Sequence, residues 1–191
     1  MSRKRGASLL GGILSCAFIA PTAVGQDAPP PTPPSSSHAT QQPPTKHPIS
    51  GLDRIRIPVA GEVFLMEIAD DPLSRARGLA GRRTIPRNEG MLFAYPKKDV
   101  LGFWMKGCLT DIDIAYVSSD GRILSMYRMK TPPPRLQDER ISTYEARLTR
   151  YPSRHLVQFA VEFAPGTIER LGIKVGTRLQ LPAGKLIDAA R

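Results

Sequence analysis

The sequence predicts an α+β fold that is predominantly β: a curled or barrel-like, mostly antiparallel sheet with two short helices. First, segments in which apolar and polar residues alternate recur through residues 54–181, a pattern typical of half-buried strands. Second, two pairs of these segments are joined by short glycine-containing turns, which indicates antiparallel hairpins. Third, the helical segments are too few and too short to cover both faces of a parallel sheet.

The first hairpin is predicted from two alternating segments, residues 55–59 and 62–69, which are joined by Ala60 and Gly61. Because Pro58 has no N–H to donate to a neighbouring strand, the first strand is expected at an edge of the sheet. A short helix follows within residues 70–81, where an aspartate precedes a proline and a glycine closes the segment.

Buried strands are predicted at residues 90–95 and 101–106, and a second hairpin at residues 111–129 with Asp120 and Gly121 in its turn. Residues 130–155 read as a long connection with one helical turn. The last elements are a strand at 156–164, a helical turn at 166–172 capped by Thr167 and a strand at 177–181.

The first 25 residues predict a secretory signal peptide: three basic residues at positions 3–5, an apolar stretch at 7–20 and the small residues "AVG" before Gln26. The apolar stretch is shorter than the roughly 20 residues of a membrane-spanning helix. We therefore expect an exported protein, periplasmic or extracellular after cleavage. The alternative is membrane anchoring through a retained leader or a lipidated Cys16.

Residues 26–50 are rich in proline and serine and nearly free of apolar residues, which predicts a disordered linker. Its histidines, His38 and His47, have no companions at metal-ligand spacing. The folded domain is expected over residues 51–191.

The formal net charge of +10 favours anionic partners, but the basic residues stand singly or in pairs. No recognition helix or zinc-finger spacing accompanies them, so we expect no nucleic-acid partner. A solvated basic surface is the simpler interpretation, and peripheral contact with anionic surfaces is kept as an alternative.

Two cysteines are present, Cys16 in the predicted leader and Cys108 in the domain, so the mature domain is expected to hold one thiol, buried and inert. His155 is the only histidine within residues 51–191 and has no evident orienting partner, so a cysteine nucleophile lacks its base. No metal-ligand spacing, phosphate-binding glycine loop or dinucleotide motif is present, and we expect no metal and no cofactor.

Six short motifs occur in a fixed order: "RGLAGR" (77–82), "GMLF" (90–93), "FWMK" (103–106), "IDI" (112–114), "YPS" (151–153) and "AVEFAPG" (160–166). Together they resemble the DUF192 family, also called UPF0127, over nearly the whole folded region. The resemblance implies a small, mainly β domain, often exported, with no established activity. Gly107 and Cys108 stand where the family has Asn-Thr, Ala80 stands where it has methionine, and Asp111 stands where it has proline. Roles of those family side chains therefore do not carry over.

Strand alternation places Trp104 and Lys106 on one face of their segment, and leaves Asp113 and Glu162 beside small residues on theirs. We predict that these four side chains, with Arg77, converge on a small ligand. The alternative is structural: Lys106, Arg77 or Arg82 forms partly buried ion pairs with the two acids.

A non-catalytic ligand-binding or partner-binding domain in the cell envelope is the leading functional hypothesis. An envelope hydrolase or transferase is the first alternative and requires Asp113 and Glu162 close together in one cleft. No catalytic residue is assigned, since the sequence lacks a nucleophile elbow. A tethered structural domain that contacts anionic envelope polymers is the second alternative. The oligomeric state is left open.

Overall fold

The computed structural model describes residues 46–191, and the predicted signal peptide lies outside the described residues, with most of the predicted linker. The described part forms one six-stranded sheet and four short helices. The strands are β1 (Arg54–Val59), β2 (Glu62–Ala69), β3 (Glu89–Phe103), β4 (Ile112–Val117), β5 (Ile123–Met129) and β6 (Tyr151–Phe163), and the helices are α1 (Pro72–Arg77), α2 (Ile141–Ala146), α3 (Thr167–Arg170) and α4 (Ala183–Ala189).

The strand order is β1-β2-β3-β6-β4-β5, with β2 and β3 parallel and the other neighbours antiparallel. The predominantly β, α+β prediction is confirmed. The outer strands β1 and β5 do not pair with each other in the described part, so the sheet is open and the barrel-like prediction is not confirmed. Four helices, rather than the two predicted, accompany the sheet in residues 46–191.

Both predicted hairpins are present. β1 and β2 pair through a two-residue turn in which Ala60 and Gly61 have positive φ values of 46° and 87°, the backbone of a type I′ turn. β1 is an edge strand, as Pro58 predicts. Asp120 and Gly121 lie in the turn between β4 and β5.

The strands predicted at 90–95 and 101–106 are one continuous strand, β3, because both halves pair with the long strand β6. The pairing register shifts between Ala94 and Asp99, which accommodates Pro96 within the strand. β3 ends at Phe103, so Trp104 and Lys106 lie in the following loop. The alternation used to place these two side chains on one strand face does not apply there.

Three terminal elements differ from their predictions. α3 begins at Thr167 itself, with Gly166 as the N-cap residue and no side-chain cap. The strand predicted at 177–181 makes only an isolated bridge between Arg122 and Arg178. α4 was not predicted from the sequence, since it follows Pro182 without a capping side chain; burial of Leu186 stabilises it instead.

A hydrophobic core lies on each of the two faces of the sheet. The first core, which includes Phe64, Val161 and Phe163, is covered by residues 168–190. The second core, which includes Met91 and Phe93, is covered by the loop after α1 and by Met105 after β3. Each polar residue of a strand therefore lies on the side of one core or of the other, and the sheet separates the two groups.

Candidate functional site

The two predicted acids lie on opposite faces of the sheet. In the register of β4 against β6, Asp113 faces Phe163, and Glu162 faces Ile114. Phe163 belongs to the first core and Ile114 to the second. The expectation that Asp113 and Glu162 share one space is therefore wrong. The sequence shows the alternation within each strand. The register between the strands decides whether the two acids lie on the same face of the sheet.

The carboxylate of Asp113 is held by hydrogen bonds from neighbouring elements of the fold. Its side chain is buried, Arg128 Nε donates to Oδ1 at 3.1 Å, and the backbone N–H of Ile168 donates to Oδ2 at 2.9 Å. These contacts join β4, β5 and the first turn of α3. The structural alternative applies to Asp113, but with Arg128 as the partner instead of Lys106, Arg77 or Arg82.

Trp104 and Lys106 form a surface cluster of their own. The Arg150 guanidinium carbon lies 3.7 Å from the centroid of the Trp104 ring, and Lys106 Nζ lies 5.4 Å from it. Lys106 also forms an ion pair with Glu145 of α2. The Trp104–Lys106 pairing predicted from the sequence is present, but neither residue reaches Asp113 or lines the cleft described next.

A cleft of about 770 Å³ lies between residues 47–52, helix α1 and the loop that follows it. Apolar side chains form much of its wall: Ile49, Leu52, Leu73, Pro86 and Met91. Three arginines also line it, Arg77, Arg82 and Arg83. Of the five predicted site residues, Arg77 lines the cleft and Glu162 lies beneath it.

Helix α1 and a glycine shape the cleft. Asp71 caps the helix in a reciprocal arrangement with Ser74, and Gly78 ends it at φ 51°, ψ −143°. A side chain is strained at this φ, and a Cβ on Gly78 would lie 3.5 Å from Phe93 Cζ and 3.9 Å from Glu162 Oε2. The chain therefore turns sharply over the second core, and the following loop carries Arg82 and Arg83 into the wall.

Glu67 of β2 links the two sides of the cleft, residues 47–52 and the loop after α1, through hydrogen bonds. Arg82 donates to both of its carboxylate oxygens at 2.6 and 2.8 Å, and Ser50 Oγ donates to Oε2. His47 Nδ1 accepts N–H groups from the following turn, and its Nε2 lies 3.6 Å from Glu67 Oε1. Burial raises the pKa of Glu67, but these hydrogen bonds and the charge of Arg82 outweigh it, and the pKa is lowered overall.

Arg77 and Arg83 are uncompensated. Both are exposed, and within residues 46–191 neither side chain has a hydrogen bond or an ion pair. Arg82, by contrast, is neutralised by Glu67. Two guanidinium groups without a direct partner therefore stand beside an apolar wall, in a lining that also includes the carboxylates of Asp71 and Glu89.

Glu162 is the unusual group under the cleft. The residue is 4% exposed, and Oε2 is buried without a hydrogen-bond partner in the described part of the chain. Burial raises its pKa to about 8, against the lowering effect of the Arg82 charge. A buried polar atom without a partner is uncommon, and it marks Glu162 as the functional candidate of the two acids.

Several cleft residues were not anticipated from the sequence. His47 was assigned to the linker, yet it is buried and lines the cleft. Gly78 at the end of a short helix and the adjacent pair Arg82 and Arg83 are local signals that point to this loop. The role of Glu67 depends on a long-range pairing that no local pattern reveals.

Within residues 46–191, no group of three or more histidine, cysteine, aspartate or glutamate side chains is arranged to hold a metal ion. In the same range, every helix falls short of the length and apolar character needed to cross a membrane.

The fold is that of a small, mainly β domain with a cleft beside α1. Residues 55–181 match the model of the DUF192 family, which is described as an uncharacterized ACR, and the chain belongs to this family. The resemblance carried by the six sequence motifs is thus confirmed. No curated protein matches the chain significantly.

Two solved structures are similar. A protein of unknown function from Novosphingobium aromaticivorans DSM 12444 is 28% identical with a TM-score of 0.61, over 73% of this chain and 94% of that one. A protein named "putative transcription regulator" from Sinorhizobium meliloti 1021 is 28% identical with a TM-score of 0.55, over 66% of this chain and 91% of that one. Both share the fold of the domain, and neither name assigns a ligand.

Proposed function

We propose that the protein is an exported, non-catalytic ligand-binding domain of the cell envelope, and that the cleft beside α1 binds a small anionic ligand with an apolar part. The observation that carries this proposal is the pairing of an apolar wall with the uncompensated charges of Arg77 and Arg83. A cleft of about 770 Å³ is within the range of small-molecule sites.

The arrangement of the acids does not support a hydrolase or transferase that uses Asp113 and Glu162 together. Paired carboxylates do acid–base work only when both flank the reacting bond. Asp113 and Glu162 are separated by the sheet, and Asp113 is occupied by Arg128 and Ile168.

Export is supported by the predicted leader at residues 1–25. Amino-terminal sequencing of the protein recovered from the envelope fraction tests it, and a mature chain that begins near Gln26 is the expected result. A chain that keeps its leader, or fractionation that changes with Cys16→Ser, favours the anchored alternatives.

Ligand binding is tested with simple amphiphilic anions. Isothermal titration with octanoate and octyl sulfate, below their critical micelle concentrations, should show saturable binding, while uncharged octanol should bind weakly. Arg77→Ala and Arg83→Ala should each weaken anion binding about tenfold or more, because each removes a charge-assisted contact.

Arg56→Ala is the matched control, since Arg56 is exposed on β1 and does not line the cleft. Equal losses in all three variants would mean that only net charge matters. Unchanged binding in Arg77→Ala and Arg83→Ala would contradict the cleft as the site.

A second candidate, contact with anionic envelope surfaces, has an observation of its own. Val100 and Leu156 face each other across β3 and β6 and are 54% and 62% exposed. Lys97, Lys98 and Arg154 are exposed in the same strand segments. Apolar side chains among cations suit an anionic lipid surface.

Vesicle sedimentation separates the two candidates. Surface contact predicts binding to phosphatidylglycerol vesicles but not to phosphatidylcholine vesicles, lost at high salt and weakened by a Lys97→Glu/Lys98→Glu double substitution. Lys174→Glu, an exposed position outside these strands, should have little effect. Binding to neither vesicle would remove this candidate.

A further inference from the structure

We propose that Glu162 makes the cleft a proton-linked anion site: the cleft accepts an anionic ligand while the Glu162 carboxyl is protonated, and rejects it when that carboxyl ionises. This inference rests on the proposed function and adds a specificity-determining residue and a pH dependence to it.

The geometry places Glu162 directly under the cleft. Gly78 is a lining residue, and a Cβ built on it would lie 3.9 Å from Glu162 Oε2. Glu162 does not itself line the cleft, but residue 78 has no side chain, so the backbone of this lining residue packs close to the carboxyl. Oε2 is buried and has no partner within residues 46–191, so nothing described there already uses its hydrogen-bonding capacity.

The groups around Glu162 leave its charge uncompensated. Arg82, in the loop after α1, is the cation that acts on it, and Arg82 is committed to Glu67 through two hydrogen bonds. Tyr95 from β3, Tyr116 from β4 and Cys108 from the loop after β3 also face it.

Burial is the main cause that raises the pKa values of these three neighbours, and the charge of Glu162 raises them further, while Arg75 lowers that of Tyr95; all three groups are neutral near pH 7. On α1, Arg75 stacks on Tyr95 and donates to the carbonyl of Ala94. Burial therefore dominates at Glu162 and raises its pKa to about 8.

An anion in the cleft interacts differently with the two forms of Glu162. The protonated carboxyl is neutral and places no charge beside an anion in the cleft. The ionised carboxylate places a second negative charge against the ligand in a poorly solvated site. Above the pKa of Glu162, binding therefore takes up one proton from solvent, which the carboxyl oxygen holds in the complex.

The test is the pH dependence of octyl sulfate binding, since this probe keeps its charge throughout. From pH 7 to pH 9.5, wild-type affinity should fall by about tenfold or more, with a limiting slope of one decade per pH unit for one linked proton. Glu162→Gln keeps the shape of the side chain but cannot ionise, so its affinity should stay constant from pH 7 to pH 9.5.

Glu169→Gln is the matched control, because Glu169 is an exposed glutamate on α3 and should leave the wild-type slope unchanged. Calorimetry of the wild type at pH 8.5 in two buffers of different ionisation enthalpy counts the proton directly, whether or not the variant folds. Uptake of up to one proton supports the linkage, and zero uptake overturns it.

Failure of the two proposals can be told apart. Wild-type binding that requires Arg77 but is flat with pH overturns only the role of Glu162. Affinity that rises with pH and is lost in Glu162→Gln means that the site takes a cation, and this also overturns it. Absence of binding, or binding indifferent to Arg77→Ala and Arg83→Ala, overturns the proposed function and this inference together.

Discussion

Glu67 and Glu162 are buried on the same side of the sheet, yet their surroundings shift their pKa values in opposite directions. Burial raises the pKa of both carboxyl groups. Arg82 and Ser50 donate hydrogen bonds to Glu67 and reverse the shift, whereas Glu162 receives only the distant charge of Arg82. Hydrogen-bond donors, rather than burial, thus distinguish the structural acid from the candidate ligand group.

The pH dependence of stability should report Glu162. Its pKa is about 8 in the folded protein and ordinarily 4.5, so the folded state holds a proton that the unfolded state releases. This contribution to the free energy of unfolding is complete below pH 4.5 and is lost as pH rises through about 8. Glu162→Gln should remove that loss and be more stable than the wild type at pH 9, by on the order of a few kcal/mol.

Urea unfolding of both proteins between pH 4.5 and pH 9 measures this difference. The pKa of Glu67 is lowered in the folded protein, so its contribution to stability is lost only when the pH falls below the ordinary pKa of a glutamate. Glu67 therefore does not contribute to the change between pH 4.5 and pH 9. Parallel curves for the wild type and Glu162→Gln would show that Glu162 has an ordinary pKa.

Strand β3 can pack between its neighbours because one of its residues, at a point where three strands meet, is a glycine. Gly90 pairs with Met66 of β2 on one side and Phe163 of β6 on the other. A Cβ at this position would overlap the backbone oxygen of Glu162 and lie 2.7 Å from Met66 Cε. The strands can approach one another here only because residue 90 has no side chain.

Gly90→Ala should therefore lower the free energy of unfolding by about 1–3 kcal/mol or more, through overpacking. Gly102→Ala is the matched control in the same strand, because no atom lies within 4 Å of a Cβ at that position. Thermal and urea unfolding of both variants measure the contrast. A loss equal to that of Gly102→Ala would contradict the close approach.

Local elements were predictable where a local pattern decides them. Both hairpins and the start of α1 follow from turn residues and from the capping aspartate. The single strand β3 was predicted as two, because its continuity comes from pairing with β6 across Pro96. α4 has no capping side chain, and only burial of Leu186 against the sheet explains it.

The order of the strands in the sheet decides which of the predicted site residues lie close enough to act together. β6 lies between β3 and β4, and the register there sends Glu162 to one face and Asp113 to the other. The sequence identifies the individual residues and their strands, but a one-residue change of register would bring the two acids together. The site is thus a property of the assembled sheet, which explains why only Arg77 and Glu162 of the five predicted residues meet at the cleft.

The turn at Ala60 and Gly61 has a consequence for how the molecule behaves in a crowded compartment. The pair Val59–Glu62 flanks this two-residue turn, so Val59 directs its amide toward β2 and position 58 directs its backbone nitrogen outward. Proline at position 58 leaves that outward site without a donor, and Arg56 adds charge beside it. The outer edge of β1 is therefore a poor template for the addition of another strand. This disfavours edge-to-edge aggregation between molecules.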